Sequence, residues 1–249
     1  MNIHFNYARS VTMVSIMSAR IAVISDIHGN IYALEAVLAD IRARGIGEVL
    51  NLGDHVHGPI EPASTADLLM HTGKRSIRGN QDRVLPQSTL DVLSQRHVDW
   101  LRSLPSTLEI EDALLCHGTP SSDETYLLET VTPAGARAAT AAEIGGRVGD
   151  LRATLLLCGH THIPRVVLHG GVLVVNPGSV GLPAYEDDAP HPHRMETGSP
   201  HARYAVLKKT GRNWSVVLIA IPYDWASAAA SARRHGREDW ARRLETGWA

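Results

Sequence analysis

The sequence predicts an α/β protein with a mixed β-sheet, leaning towards α+β in its second half. Short apolar runs typical of buried strands alternate with amphipathic helical stretches over roughly the first 80 residues. Beyond that point the pattern becomes richer in strands, and several of them pair as hairpins. Alternation favours parallel strands and hairpins require antiparallel ones, so the sheet is expected to contain both.

The individual elements follow from periodicity and turn residues. The apolar run from Ile21 to Ile24 predicts the first strand, and apolar residues at helical spacing from Leu34 to Ile41 predict a helix that stops at Gly45. Further strands are expected at 48–52, 75–77, 107–110, 113–116, 154–158, 165–169, 172–175, 204–208 and 214–221. Further helices are expected at 62–71, 90–101, 133–149 and 225–244, and a polar, proline-rich surface loop at 185–201.

Length and composition indicate one globular domain. The chain has 249 residues, 44% of them hydrophobic and 20% charged, which is enough to bury a core. Residues 20–249 are expected to form a single domain with C-terminal helices from about residue 225. Residues 1–19 match neither a helical nor a strand period and are expected to be a disordered extension.

Charge and cysteine content narrow the partners and the compartment. Lys and Arg number 24 against 26 Asp and Glu, and a net charge of −2 provides no field that would attract nucleic acid as an obligate partner. No apolar stretch approaches the roughly 20 residues that cross a membrane. Cys116 and Cys158 lie inside apolar runs, as reduced structural thiols do, so we expect a cytoplasmic protein.

Five predicted strands end in a short polar signature. Because α/β proteins bind ligands at the C-terminal ends of their strands, these side chains are expected to converge. An isolated Asp-x-His is more often a turn than a metal site, but five coincident strand ends favour a metal centre. The signatures are Asp26-x-His28, Gly53-Asp54, Gly79-Asn80, His117-Gly118 and Gly159-His160-x-His162.

This series, together with His162-Ile163-Pro164 and the segment NPGSVG at 176–181, resembles the calcineurin-like metallophosphoesterase superfamily, and within it a branch of small bacterial predicted phosphodiesterases. The resemblance runs from Arg20 to about Asp224. It implies two mixed β-sheets packed face to face as a sandwich, with helices outside and a dinuclear metal centre at one edge. A metal-bridging hydroxide would then attack phosphorus.

The resemblance also assigns the ligands. It implies that Asp54 bridges two metal ions, with Asp26, His28 and His162 on the first and Asn80, His117 and His160 on the second. Oxygen and imidazole donors of this kind suit manganese, iron, zinc or nickel.

The sequence departs from the commonest family pattern at Gln81, where many members have a histidine that assists the leaving group. Glutamine donates a hydrogen bond but is no general acid. We hypothesise that His55 or His57, in the loop after Asp54, supplies the missing assistance. Gln81 and Arg83 are candidate contacts to the substrate.

The function expected from this pattern is phosphodiesterase activity on a small or nucleotide-like phosphorylated substrate. Phosphomonoesterase or protein phosphatase activity at the same centre is one alternative, and a non-catalytic, metal-binding scaffold is another. The loops at 55–62, 119–130 and 185–201 are expected to set specificity. The tryptophans of the C-terminal helices either cover a sheet edge or pair two chains, which leaves a homodimer open.

Overall fold

The computed structural model describes residues 20–211 and 213–249, so the expected disorder of residues 1–19 lies outside the described chain. The strands are β1 (Arg20–Ile24), β2 (Glu48–Asn51), β3 (Arg75–Ser76), β4 (Thr107–Ile110), β5 (Ala113–Cys116), β6 (Glu129–Thr132), β7 (Gly135–Ala138), β8 (Leu155–Leu157), β9 (Arg165–His169), β10 (Val172–Asn176), β11 (Ala184–Asp187), β12 (His193–Glu196), β13 (Ala202–Thr210) and β14 (Asn213–Ile221). The helices are α1 (Ile31–Ala43), α2 (Pro62–Thr72), α3 (Asn80–Arg83), α4 (Gln87–Leu90), α5 (Gln95–Ser103), α6 (Ala141–Val148), α7 (Trp225–Arg234) and α8 (Glu238–Thr246).

Ten of these strands form two mixed five-stranded sheets. The first has the order β14-β13-β1-β2-β3, in which β1, β2 and β3 are parallel, β13 is antiparallel to β1, and the edge strand β14 is antiparallel to β13. The second has the order β4-β5-β8-β10-β9, in which β5, β8 and β10 are parallel and the two edge strands are antiparallel. The predicted fold class, with two mixed sheets and flanking helices, is confirmed.

The two sheets pack face to face over an apolar layer. Val23, Leu50 and Ile77 of the first sheet and its loops meet Leu115 and Leu157 of the second, and all five are buried. The outer faces are covered by helices, with α1 and α2 on the first sheet and α6 on the second. This arrangement brings the C-terminal ends of the parallel strands of both sheets to a common edge.

Helix α1 illustrates how local sequence fixes an element. The Asn30 side chain accepts a hydrogen bond from the backbone N–H of Ala33, which caps the first turn. Its apolar stripe then packs on the first sheet, and a left-handed Gly45 turns the chain towards β2. The buried members of the stripe are Ala33, Leu34, Val37, Leu38 and Ile41.

Three sequence-based elements are corrected. The helix expected at 133–149 is β7 followed by α6, because β7 pairs with β6 and Thr140 then caps a new helix. The surface loop expected at 185–201 contains the hairpin β11-β12, whose side chains His193 and Met195 are buried. The helix expected at 90–101 is two helices, because Ser94 caps α5.

Within residues 20–211 and 213–249, no helix combines the length and the apolar character needed to cross a membrane.

Candidate metal centre

The polar residues at the strand ends converge at the common edge of the two sheets. They form two groups, and within each group the potential ligand atoms lie within 4.8 Å of one another. One group is Asp26, His28 and His162, and the other is Asp54, His117 and His160. The family resemblance divides these residues in the same way, with Asp26, His28 and His162 on one ion and His117 and His160 on the other.

Asp54, a member of the second group, also lies close to the first. Its Oδ2 is 3.4 Å from His117 Nε2 and 3.8 Å from His28 Nε2. A single carboxylate oxygen therefore faces a histidine of each group, the position expected of a bridging ligand. Asn80, at the start of α3, lines the same cavity as Asp54 and His160.

Backbone carbonyls fix the orientation of the four histidine rings. Because a carbonyl only accepts hydrogen bonds, the ring nitrogen next to it must donate and the other nitrogen is left to face the site. The donating atoms are His28 Nδ1 to His57 O at 3.0 Å, His117 Nδ1 to Leu52 O at 2.8 Å, His162 Nδ1 to Leu182 O at 2.6 Å and His160 Nε2 to Glu124 O at 2.9 Å.

Several buried polar atoms at the site lack a hydrogen-bond partner. Asp26 Oδ1, Asn80 Oδ1 and His117 Nε2 are buried without a hydrogen-bond partner. His28 Nε2 and His162 Nε2 are 3.1 Å apart, so the neutral forms of these rings turn lone pairs towards each other. Such contacts are costly in a buried site unless a cation lies among them. The donor set therefore fits metal ions, with nitrogen and oxygen ligands only.

The backbone is strained where the ligands are. Of the described non-glycine residues, six have φ between 51° and 69°, the left-handed region that side chains rarely adopt. Five of the six are candidate ligands, and each such conformation costs on the order of 1–3 kcal/mol. The five are Asp26, His28, Asp54, His160 and His162.

Charges in this buried space shift the titration of the ligands. Burial opposes ionisation of Asp26, but His162 outweighs it and lowers the pKa of Asp26 to about 2. Burial together with the charge of His162 lowers the pKa of His28 to about 4, whereas Asp54 overcomes burial and raises the pKa of His117 to about 10. Burial also opposes ionisation of Asp54, but His117 and the other histidines hold its pKa well below the usual range, so both carboxylates are ionised at neutral pH, as metal ligands must be.

Asp82, to which the sequence assigned no role, holds two of the ligand turns together. Its buried carboxylate accepts hydrogen bonds from the backbone N–H groups of Asp54 at 2.8 Å, His55 at 2.9 Å and Gly79 at 2.9 Å. A side chain at Gly79 would collide with Asp54 Oδ1, so the absence of a Cβ there permits the close approach. Asp82 therefore positions Asp54 and the start of α3.

The hypothesis that His55 assists catalysis is corrected. The His55 ring is fully buried, its Nδ1 lies 2.7 Å from Asp82 Oδ2, and its face packs against Trp100 at 5.2 Å between ring centroids. A ring held in this way does not reach a substrate. His55 supports the Asp54 turn from behind.

The expectation that Arg83 contacts the substrate is also corrected. Its guanidinium donates to Asp123 at 2.8 and 3.2 Å and to Glu124 at 2.7 Å. The side chain is tied to the loop after β5 and does not line the cavity over the ligands. Nothing in the local sequence of Arg83 indicates these two partners.

His57 and Gln81 do line the cavity over the ligands, which has a volume of about 240 Å³. The Gln81 backbone N–H donates to Asp54 Oδ1 at 3.0 Å, so its side chain is anchored beside the proposed bridge. His57 is largely buried with its Nδ1 unpartnered, and burial lowers the pKa of its imidazole. Both residues remain candidates for contact with substrate.

Helix α8 forms one wall of this cavity, which the sequence did not predict. Trp240 is 4% exposed and its ring lies 6.1 Å from His28 and 6.0 Å from His57, while Arg237 and Arg243 of the same segment also line the cavity. The only sequence signal was the helical spacing of Trp240 and Leu244, which marks a buried face without naming its partner.

Two tyrosines cover the other side of the site. Tyr126 packs on the His160 ring at 4.8 Å and Tyr185 on the His162 ring at 4.6 Å, and their hydroxyls are 2.7 Å apart. The Tyr185 hydroxyl also donates to the His160 carbonyl at 3.1 Å. These contacts hold the two ligand rings from outside.

Comparison with known proteins agrees with this geometry. A family model described as the calcineurin-like phosphoesterase superfamily domain matches residues 19–197. An uncharacterized protein of Methanocaldococcus jannaschii is 27% identical over 259 residues, which span 90% of this chain and 96% of that protein.

Two solved structures resemble nearly the whole chain. A metallophosphoesterase from Sphaerobacter thermophilus has a TM-score of 0.73 and 25% identity, over 92% of this chain and 99% of that one. A hypothetical protein from Pyrococcus horikoshii OT3 has a TM-score of 0.72 and 18% identity, over 92% of this chain and 98% of that one, a likeness of fold.

Proposed function

Because this chain belongs to the calcineurin-like phosphoesterase superfamily, we propose that it is a dinuclear metal-dependent phosphodiesterase acting on a small or nucleotide-like substrate. The observation that carries the proposal is the position of Asp54, whose Oδ2 faces a histidine of each ligand group. Two bound metal ions would supply a water of lowered pKa and neutralise charge on the phosphoryl group.

The chain's own residues orient the substrate. Gln81 lies beside Asp54 with its backbone N–H bonded to Asp54 Oδ1, and its side-chain amide is a neutral donor for a phosphoryl oxygen. His57 is the imidazole in the cavity that ligates no metal in this proposal, and as a neutral ring it donates a hydrogen bond to the oxygen of the departing alcohol. Trp240 and the two tyrosines restrict water around these groups.

A preference for diesters is supported by the scarcity of free cations on one side of the site. A phosphomonoester carries about two negative charges at neutral pH and a diester carries one. Arg83, the nearest cation expected from sequence, is bound to Asp123 and Glu124. Phosphomonoesterase activity is the second candidate, because Arg237 lines the opposite wall and, although paired with Asp239 at 2.7 Å, could meet the additional charge.

The test is hydrolysis of bis(p-nitrophenyl) phosphate and of p-nitrophenyl phosphate by one preparation, loaded in turn with manganese, iron, zinc and nickel and assayed for metal content. We expect about two metal ions per chain and a higher kcat/KM for the diester. Asp54→Asn should lose most of the activity and part of the metal. Full activity of Asp54→Asn would contradict the mechanism.

The assay also separates the enzyme from a scaffold. A protein that binds about two metal ions but hydrolyses neither ester would be the non-catalytic alternative. Failure to bind any of the four metals would contradict both the metal-dependent enzyme and the metal-binding scaffold.

A further inference from the structure

A second cavity adjoins the ligand groups on the side away from α8. It has a volume of about 600 Å³, within the range of small-molecule sites, and it reaches the centre at Asn80 and His160. Its other walls come from the loop before β6, from β6 itself and from the segment after β11. Since it begins at two candidate ligands, part of a substrate bound at the metals can extend into it.

Three carboxylates and one arginine line this cavity, and one of the carboxylates, Asp187, has no arginine partner in the described part of the chain. Glu124, Glu129 and Asp187 line it. Glu124 is paired with Arg83, but no salt bridge to Asp187 occurs within the described chain. Asp187 also lines the cavity over the ligands, so it lies where the two spaces join.

Glu129 adds buried acceptors. Its side chain is 4% exposed; Oε1 forms a salt bridge to Arg165 Nε at 3.1 Å, and Oε2 has no hydrogen-bond partner. A buried carboxylate oxygen without hydrogen bonds is costly and is commonly completed by a water or a ligand donor.

The one arginine that lines the cavity is already used. Arg147 donates through NH1 to the carbonyls of Leu127 at 3.1 Å and Glu129 at 2.8 Å, and through NH2 to Thr130 Oγ1 at 2.7 Å. A guanidinium with these three acceptors braces β6 and has little capacity left for an anion. The cavity is therefore rich in acceptors and poor in free positive charge.

We propose that this acidic cavity is the subsite for one alcohol half of the substrate, and that it accepts a cationic or an uncharged, hydrogen-bond-donating alcohol and rejects an anionic one. The inference rests on the proposed phosphodiesterase function. Hydroxyl or ammonium groups meet the carboxylates, and Tyr126 and Val131 provide the apolar contacts. A second phosphate or a carboxylate in this position would be repelled by Asp187.

The test uses p-nitrophenyl phosphodiesters that differ only in the second alcohol: methanol, choline, its uncharged isostere 3,3-dimethylbutanol, and 3-hydroxypropanoate. With the metal-loaded wild type, we expect kcat/KM for the choline ester to exceed that for the 3-hydroxypropanoate ester by roughly tenfold or more. The dimethylbutyl ester should fall between them, because it has the size of choline without the charge.

Two variants assign the effect to the cavity. Asp187→Asn should reduce the preference for choline over 3-hydroxypropanoate, whereas Asp188→Asn, at the exposed neighbouring position, should leave it unchanged. Val131→Trp should lower kcat/KM for the choline and dimethylbutyl esters and spare the methyl ester, because it fills the cavity and not the metal edge. If Val131→Trp does not fold, the comparison of Asp187→Asn with Asp188→Asn still tests the proposal, because both residues are exposed.

The outcomes separate this inference from the proposed function. If the methyl ester is hydrolysed but the 3-hydroxypropanoate ester is as good a substrate as the choline ester, the acidic subsite is wrong and the phosphodiesterase stands. An equal effect of Asp187→Asn and Asp188→Asn would also overturn the subsite. If no metal supports hydrolysis of the methyl ester, the proposed function fails and the subsite with it.

Discussion

Asp82→Asn should destabilise the protein although Asp82 is no ligand. The carboxylate accepts four hydrogen bonds, three from backbone N–H groups and one from His55 Nδ1 at 2.7 Å. An asparagine keeps one oxygen, so the donor facing its NH₂ is left buried and unpaired at a cost of about 1–3 kcal/mol. The three remaining bonds lose about 1 kcal/mol each because they are no longer charge-assisted. The expected loss is therefore about 4–6 kcal/mol.

The assay is urea denaturation of the metal-free protein, followed by metal analysis after reloading. Asp150→Asn, at an exposed aspartate outside the helices and strands, is the matched control and should change the free energy of unfolding by less than about 0.5 kcal/mol. We also expect Asp82→Asn to retain less metal, because Asp54 is positioned through its N–H. A loss below about 1 kcal/mol with wild-type metal content would refute the view that Asp82 holds the turns.

Three further predictions concern the site. His57→Ala should lower kcat for alkyl esters by about tenfold or more while changing p-nitrophenyl esters little, because a good leaving group departs without a hydrogen bond to its oxygen. Equal losses for both would contradict a role in leaving-group departure. Arg237→Ala should raise KM for p-nitrophenyl phosphate several-fold. Arg242→Ala, at an exposed position in the following helix α8, should not raise it. Equal effects of the two variants would exclude a phosphate contact by Arg237. Metal loading at pH 7 should release about one proton from His117, since Asp54 overcomes burial and raises the pKa of His117 to about 10. The affinity for metal ions should therefore fall as the pH is lowered. Calorimetry in buffers of different ionisation enthalpy measures this release. If no proton is released, the protonated state of His117 is contradicted.

The centre of the fold was predictable because its signals are local. Each candidate ligand directly follows an apolar strand, and parallel strands bring such positions to one edge whatever the rest of the chain does. The hairpin β11-β12 was hidden because its charged and proline-containing sequence resembles a loop, whereas burial of His193 and Met195 depends on distant neighbours.

The surroundings of the site were not predictable for the same reason. Arg83 is bound to residues 40 and 41 positions further along the chain, and nothing in its local sequence favours them over a phosphate. Asp82 was assigned no role from the sequence. Its partners Asp54 and His55 lie 28 and 27 positions away and are brought close by the packing of β2 against β3.

Helix α8, which forms one wall of the cavity over the ligands, is synthesised after all of the candidate ligands. All the candidate ligands precede Ile221, where the last strand of the two sheets ends, and α8 ends 25 positions later at Thr246. At translation rates of about 5–20 residues per second, this interval lasts roughly 1–5 s. Until α8 has docked, Trp240 and Arg237 do not wall the ligand edge. A chain that has folded both sheets but not yet α8 would offer metal ions a more open site than the finished protein.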